Sequence, residues 1–224
     1  MEMTSKQLST PKSGVSLARS NSELLGGVGV SAFYNMATDS IFSAQRLERG
    51  VFQAFLDQRR IEPATVAAIS GDSVPRGLVI GYSNSFRLRK GELEQALWSN
   101  RMKTYDGCRA SSVDLCDIIY GHSDFYVDTR ALWSRKNEEG EEQEAMLQVY
   151  DVAAMLTVCV AVGLDVFTVD GKEWAEHKYN ETLALVVCRK CVTERIKAAL
   201  GEVMPKWMEA DAKNGGAKVV TKAA

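Results

Sequence analysis

The sequence predicts an α/β protein in which an antiparallel β-meander is followed by α/β layers. Residues 14–63 contain short apolar segments separated by turns, which is typical of a meander. From about residue 64 onward, strand-like and helix-like segments alternate, and this pattern favours a sheet covered by helices. Hydrophobic residues make up 46% of the chain, so there is enough apolar material for a core.

The meander is predicted from its alternation and its turns. Predicted strands cover residues 14–18, 26–34, 40–45 and 50–56. The second of these strands is rich in glycine, which indicates that another backbone approaches it closely.

The second half contains a continuous apolar run at residues 77–82, typical of a strand that is buried on both faces. Further strands are predicted at 124–128, 165–169 and 182–188, and helices at 88–102, 111–120, 149–162 and 192–200. Residues 149–162 give the strongest helical pattern, and Gly163 is suited to the position that follows a helix.

We therefore expect a flexible head (1–13), a meander subdomain (14–63), an α/β subdomain (64–204) and a flexible tail (205–224). Within the α/β subdomain, residues 134–144 contain five glutamates and are predicted to form a solvated acidic loop.

Composition excludes several classes of protein. The 27 Lys and Arg residues against 29 Asp and Glu residues give a net charge of −2, which argues against binding nucleic acid over the whole surface. No apolar run is long enough for a transmembrane helix, and the polar N-terminus does not resemble a secretory signal. Five scattered cysteines suit the cytoplasm or another reducing compartment, with organellar import left open.

The common catalytic motifs are weak in this sequence. It has two histidines, His122 and His177, and His122 is expected in a solvated loop. Cys188 and Cys191 form a single Cys-x-x-Cys motif, for which incidental packing is favoured over redox chemistry.

Asp151 at the start of the strongest helix has two interpretations. The unpaired N–H groups of a helix N-terminus favour an anion, so Asp151 is suited to capping the helix. The alternative is a metal ligand beside the helix terminus, and the residue pattern leaves both open.

Several segments, taken in order, resemble the inositol monophosphatase superfamily. Asp151-Val152-Ala153-Ala154, with the glycine turn, strand and Asp-Gly of residues 163–171, is similar to the closing signature of that family. Upstream, residues 109–116 resemble its Arg-x-x-Gly-Ser segment, residues 120–128 its Gly-x-x-Asp-Ala-Tyr-x-Asp strand and residues 29–61 its meander. The resemblance implies a truncated version of the layered inositol-monophosphatase-like sugar phosphatase fold, because it begins after the Asp-Pro-Leu/Ile-Asp-Gly-Thr/Ser metal motif of the family.

The resemblance also implies site residues and a cofactor. The family hydrolyses phosphomonoesters with Mg²⁺; Asp151 matches one of its metal ligands, and Ser111 and Ser112 match its substrate segment. Ala110 replaces the family's glycine, and a single carboxylate is a poor Mg²⁺ site. The acidic loop would also repel a phosphate ester.

Two hypotheses follow from the resemblance. The favoured one is a non-catalytic structural or binding subunit of a larger assembly, in which a protein partner or a second copy covers the meander at residues 14–61. The alternative is a Mg²⁺-dependent phosphatase of inositol, sugar or nucleotide phosphomonoesters whose missing ligands come from another chain or segment. Phe33, Phe42, Phe52 and Phe55 are expected either at the covered surface or in the core of the chain itself.

Overall fold

The structure is a computed structural model, and it describes most of the chain between residues 14 and 213. The described residues are 14–47, 51–63, 66, 74–80, 84–107, 110–132, 134–136, 142–144, 147, 149–169, 173–178, 181 and 183–213. Among these, the side chains of 84–87, 134–136, 142–144, 150 and 211–213 are not described. The predicted head, the turn at 170–171, Arg109 and residues 214–224 lie outside the described residues.

The meander forms an antiparallel sheet in which the strands follow chain order. Its strands are β1 (Gly14–Ser20), β2 (Val28–Asn35), β3 (Ser40–Arg46), β4 (Phe52–Leu56) and β5 (Arg59–Arg60). The predicted strands are confirmed, and β5 is an addition that forms when the chain reverses at Asp57 and Gln58, both with positive φ. Among the described strands, β1 lies at the edge of this sheet.

A second, mixed sheet has the strand order β11-β12-β8-β6-β7. Its strands are β6 (Arg76–Ile80), β7 (Lys103–Tyr105), β8 (Phe125–Asp128), β11 (Asp165–Thr168) and β12 (Leu185–Cys188). The pairs β6–β7 and β6–β8 are parallel, and the other pairs are antiparallel. All four residues of β8 and of β12 are buried, which explains why both strands are apolar apart from Asp128 at the end of β8.

The helices of the described residues lie between and outside these sheets. They are α1 (Asn84–Ser99), α2 (Ser111–Ile119), α3 (Val149–Ala161) and α4 (Thr193–Lys213). Helices α2 and α3 lie in the core shared by the meander sheet and one face of the mixed sheet. Helices α1 and α4 cover the other face of the mixed sheet. The layers are therefore sheet, helices, sheet, helices.

Two predicted segments, the flexible tail and the acidic loop, differ in part from the structure. Helix α4 continues to Lys213, so residues 205–213 are helical and not part of a flexible tail. Pro205 interrupts the hydrogen bonding of this helix, but Val203 and Trp207 on either side of it are buried against the mixed sheet and α1, and this packing stabilises the continued helix. The acidic segment is also not only a loop, because β9 (Ser134–Lys136) pairs with β10 (Glu142–Glu144) in a short antiparallel hairpin.

The four phenylalanines divide between the two interpretations. Phe33 and Phe42 are buried in the core against α3, so for these two the core interpretation is confirmed and exposure is wrong. Phe52 and Phe55 are half-buried. The outer face of the meander sheet instead exposes aliphatic residues and one tyrosine. They are Val15, Leu17, Val30, Tyr34 and Ile41.

Within the described residues, no helix has the length and apolar character needed to cross a membrane. The division into subdomains stays a prediction.

Candidate functional site

A cavity of about 510 Å³ opens where the N-termini of α2 and α3 approach the meander sheet. Its described lining is Gly14, Ser16, Phe33, Ala110, Ser111, Ser112, Val113, Arg130 and Asp151. The three residues that the family resemblance singled out, Ser111, Ser112 and Asp151, are therefore brought together in one pocket. In the sequence Asp151 lies about 40 residues after the two serines, and only the packing of α2 against α3 brings it next to them.

Helix α2 begins at Ser111 because Ala110 is extended, with φ −120° and ψ 92°, and its carbonyl accepts the first helical hydrogen bonds. Val113 and Asp114 donate their N–H groups to that carbonyl at 2.8 and 2.9 Å. The N–H groups of Ser111 and Ser112 precede the first possible helical acceptor, so they have no acceptor within the helix. The positive end of the helix dipole therefore faces the cavity.

Asp151 lies in the first turn of α3, where a carboxylate interacts favourably with the helix N-terminus. Ser112 donates its hydroxyl hydrogen to the main-chain carbonyl of Asp151, which ties the two helix termini together. The structure thus supports the interpretation that Asp151 stabilises the helix terminus. Asp151 also lines the pocket.

Arg130 lines the pocket, and the buried carboxylate of Asp128 behind it holds its guanidinium. The guanidinium donates from Nε to Oδ1 of Asp128 at 2.9 Å and from Nη2 to Oδ2 at 2.6 Å. Nη2 also lies 3.0 Å from the hydroxyl oxygen of Ser111. The Asp128 side chain is fully buried and that of Arg130 is 11% exposed, so this is a bidentate pair with restricted access to water.

Tyr126, which lies two residues before Asp128 in β8, completes this network. Its hydroxyl oxygen lies 2.8 Å from Oδ2 of Asp128 and 2.9 Å from the hydroxyl of Ser111. Burial, and the nearby Asp128 carboxylate, hold the pKa of Tyr126 well above its usual value. The phenol therefore stays protonated and acts as a hydrogen-bond donor to this cluster.

Sequence reasoning missed Arg130 and the role of Asp128. The available signal was an arginine two residues after an aspartate at the end of a predicted buried strand. A carboxylate that ends a buried strand requires a cationic partner, and a planar guanidinium is the side chain that satisfies both of its oxygens.

The donor set formed by the described residues does not fit Mg²⁺. Of the residues that line the pocket in the described part of the chain, Asp151 alone bears a carboxylate. Asp128 is fully engaged by Arg130 and Tyr126, and the guanidinium would repel a divalent cation. Mg²⁺ prefers several oxygen ligands in octahedral geometry. Among the described residues, no three Asp, Glu, His or Cys side chains cluster in a way that could hold a metal.

The other candidate residues lie elsewhere. Cys188 is buried in β12 whereas Cys191 is exposed, and burial raises the pKa of Cys188 to about 12. A thiol with this pKa is a poor nucleophile at neutral pH, which favours the packing interpretation of the Cys-x-x-Cys motif. His122 is exposed in a turn after α2, as predicted.

Comparisons with known proteins agree with this geometry at the level of fold. No protein-family model and no curated protein matches the sequence. Solved structures do match. One is a hypothetical protein of Pyrococcus horikoshii described as similar to inositol-1 monophosphatase, with a TM-score of 0.60 and 14% identity over 85% of this chain and 62% of that one. The chain has the inositol monophosphatase fold.

Two further structures support the inositol monophosphatase fold. The Thermotoga maritima IMPase matches with a TM-score of 0.57 and 17% identity, over 86% of this chain and 62% of its own. SuhB of Mycobacterium tuberculosis matches with a TM-score of 0.56 and 17% identity, over 86% and 65% respectively. The chain spans about three fifths of the length of these structures. The resemblance predicted from the sequence motifs is thus confirmed for the fold.

Proposed function

We propose that this chain is a non-catalytic binding subunit of a larger assembly, with a pocket for a small anionic ligand such as a phosphomonoester. The observation that carries the proposal is the place of Arg130. Its guanidinium lies on the pocket wall, held by Asp128 and next to Ser111 at the positive end of α2. Arginine and a helix N-terminus are complementary to phosphate, whereas a catalytic metal would need carboxylates at the same place.

The part of the pocket wall that the meander forms supports the proposal that this chain alone is not catalytic. Strand β1 brings Gly14 and Ser16 to the pocket, and β2 brings Phe33. None of these side chains is a metal ligand of the kind that Mg²⁺ prefers, and none can activate water as a general base at neutral pH. These residues can therefore help to bind and orient an anion, but among the described residues of this wall none generates a nucleophile.

The outer face of the meander sheet supports the assembly part of the proposal. This face exposes neighbouring aliphatic residues from β1, β2 and β3, among them Leu17, Val30 and Ile41. Contiguous apolar patches of this kind mark interaction surfaces in water-exposed proteins. A protein partner or a second copy of the chain is the proposed cover.

The alternative function is a Mg²⁺-dependent phosphomonoesterase completed by carboxylates from another chain or segment. The position of Asp151 favours it, because this carboxylate residue lines the pocket next to Ser111 and Ser112. Under this alternative Asp151 would be a metal ligand, the two serines would contact substrate, and the metal would polarise the phosphate.

Asp151→Asn tests the anion site by binding without metal, and it tests the catalytic alternative by turnover with Mg²⁺. The full chain would be titrated with inositol 1-phosphate by calorimetry in EDTA. We expect the variant to bind several-fold more tightly than wild type, since it removes a negative charge from the pocket that receives the anion. We also expect no Mg²⁺-dependent phosphate release from inositol 1-phosphate, fructose 1,6-bisphosphate or adenosine 3′,5′-bisphosphate. Turnover by the wild type that disappears in Asp151→Asn would overturn the non-catalytic proposal.

The matched control is Glu194→Gln, which removes the charge of an 85% exposed carboxylate on α4, outside the pocket lining. Affinity for inositol 1-phosphate should be unchanged in this variant. Equal changes in both variants would show a general charge effect and would contradict a ligand site at Asp151.

A further inference from the structure

We propose that the free edge of β1 pairs with β1 of a second copy of this chain, antiparallel and centred on Leu17, so that the two meander sheets become one. This proposal deepens the proposed function, because it names the partner in the assembly. Among the described strands, β1 is the edge strand, and Gly14 to Arg19 are exposed on both faces of the sheet. Such an edge presents a row of hydrogen-bonding groups that is a template for another strand.

The hydrogen-bond pattern of the meander shows which residues of β1 point to the free edge. Ile61 donates its N–H to the carbonyl of Ala54 at 2.9 Å, so the main-chain groups of Ala54 face β5. Main-chain direction alternates along an antiparallel strand, so the adjacent residue Phe55 faces β3, where it pairs with Ser43.

The same alternation continues across β3 and β2. The next residue of β3 is Ala44, and its main-chain groups face β2, where it pairs with Ser31. The main-chain groups of the next residue of β2, Ala32, therefore face β1, where Ala32 pairs with Leu17. Leu17 therefore directs its N–H and carbonyl to β2. The residues on either side of it, Ser16 and Ala18, direct theirs to the free edge.

A two-fold axis through Leu17 satisfies these groups in both copies. Ser16 of one copy lies opposite Ala18 of the other, and Gly14 lies opposite Ser20, all as hydrogen-bonded pairs. These four residues are small, so their side chains do not obstruct the junction on the inner face of the sheet. Leu17 lies opposite Leu17 of the second copy in a non-hydrogen-bonded pair, the kind in which side chains approach most closely.

The side chains favour a second copy as the occupant. Leu17 is 71% exposed, so this pairing buries a large aliphatic side chain against its own symmetry mate. Arg19 is the one charged residue of β1 and lies opposite Val15 of the second copy. The two Arg19 side chains are then four residues apart along the strands, roughly 13 Å, which exceeds the screening length of about 8 Å in physiological salt. The pairing thus places no like charges directly opposite each other.

The first test is the mass of the full chain, measured by light scattering or sedimentation over a dilution series. We expect a dimer for the wild type and a monomer for Leu17→Lys, because that variant places two lysines directly opposite each other at the axis. The matched control is Ile41→Lys on β3, a 50% exposed residue of the same outer face, which should leave the dimer intact. Both positions are exposed, so the thermal midpoints of both variants should stay close to that of the wild type.

The second test reports the register. The background is Cys108→Ser with Cys191→Ser, which removes the exposed cysteine of the described residues and the one cysteine that lies outside them. In this background Leu17→Cys should form a disulfide-linked dimer under mild oxidation. Its Cβ atoms would be about 4.5–5.5 Å apart, close enough for bridging after a small adjustment. Val15→Cys should not cross-link, because the two Val15 residues would lie roughly 13 Å apart along the paired strands.

A wild-type monomer at every concentration would overturn the pairing, and so would equal loss of the dimer in Leu17→Lys and Ile41→Lys. A monomer that joins a different protein through β1 would also overturn it, since the occupant would then be a foreign strand. These failures differ from failure of the proposed function: Mg²⁺-dependent hydrolysis would contradict the non-catalytic subunit without changing the dimer mass. Loss of the dimer would leave anion binding at Arg130 unaffected.

Discussion

The guanidinium of Arg130 holds both carboxylate oxygens of Asp128, with Nε to Oδ1 at 2.9 Å and Nη2 to Oδ2 at 2.6 Å. Asp128 is fully buried, so Arg130 provides the charge that makes its burial tolerable. The same guanidinium forms part of the pocket wall. One side chain therefore stabilises the buried carboxylate and also belongs to the proposed ligand site.

Arg130→Gln should lower the free energy of unfolding by about 3 kcal/mol, because removing one member of a buried pair leaves an uncompensated charge. The control is Lys206→Gln, which removes the cation of an exposed i,i+4 pair with Glu202. That change should cost less than about 1 kcal/mol. Urea unfolding monitored by circular dichroism measures both; equal effects would mean that Asp128 does not depend on Arg130.

Phe42→Ala should lower the free energy of unfolding by about 3–5 kcal/mol, since Phe42 is fully buried between the meander sheet and α3. Its neighbour Ile41 points to the outer face and is half exposed, so Ile41→Ala should cost less than about 1 kcal/mol. Urea unfolding of the two variants at the same protein concentration compares the faces of β3. A larger cost at Ile41 would contradict the assignment of the inner and outer faces.

Gly163→Ala should destabilise the protein by about 1 kcal/mol, because Gly163 ends α3 with φ +82°, a conformation unfavourable for residues with a Cβ. Gly201→Ala should have the opposite sign. Gly201 lies exposed within α4 with no neighbour within 4 Å of its Cβ position, so alanine should stabilise the helix by about 0.5–1 kcal/mol. Thermal unfolding of both variants checks the sign, and a stabilised Gly163→Ala would show that α3 does not end in a left-handed turn.

The free energy of unfolding should fall as the pH rises above about 9. Burial raises the pKa of Cys188 from an ordinary value of 9.0 to about 12 and raises that of Cys159 as well. The unfolded chain therefore loses these protons at lower pH than the folded chain, and stability is lost between the unfolded and folded pKa values. Urea unfolding from pH 8 to 11 should give a shallower decline for Cys188→Ala than for wild type. Cys191→Ala serves as the control, because it replaces an exposed cysteine outside the core.

Much of the fold could be predicted from local patterns. Alternation and turns predicted β1 to β4, and the helical pattern that ends at Gly163 predicted α3 with its left-handed end. These features depend on backbone geometry and on which residues must leave water, and both are local properties of the chain. The order of weak motifs also predicted the inositol monophosphatase fold.

Other features depend on contacts between distant residues. Helix α4 extends past Pro205 because Val203 and Trp207 pack against the mixed sheet and α1, which no local signal at the proline reveals. Phe33 and Phe42 face the core because the register of the meander turns them toward α3. A shift of one residue would have exposed them, and the pattern of a single strand does not show which element its apolar face meets.

The sequence by itself determined most of the strands and helices, the place of Asp151 near the start of α3 and the pair of serines that begins α2. Only the tertiary structure decided that Asp151, Ser111 and Ser112 share one pocket with Arg130, and that β1 is the edge strand among the described strands of its sheet. The physical reason is that secondary structure follows from short-range periodicity. A site instead follows from where packed layers bring residues that are far apart in the chain.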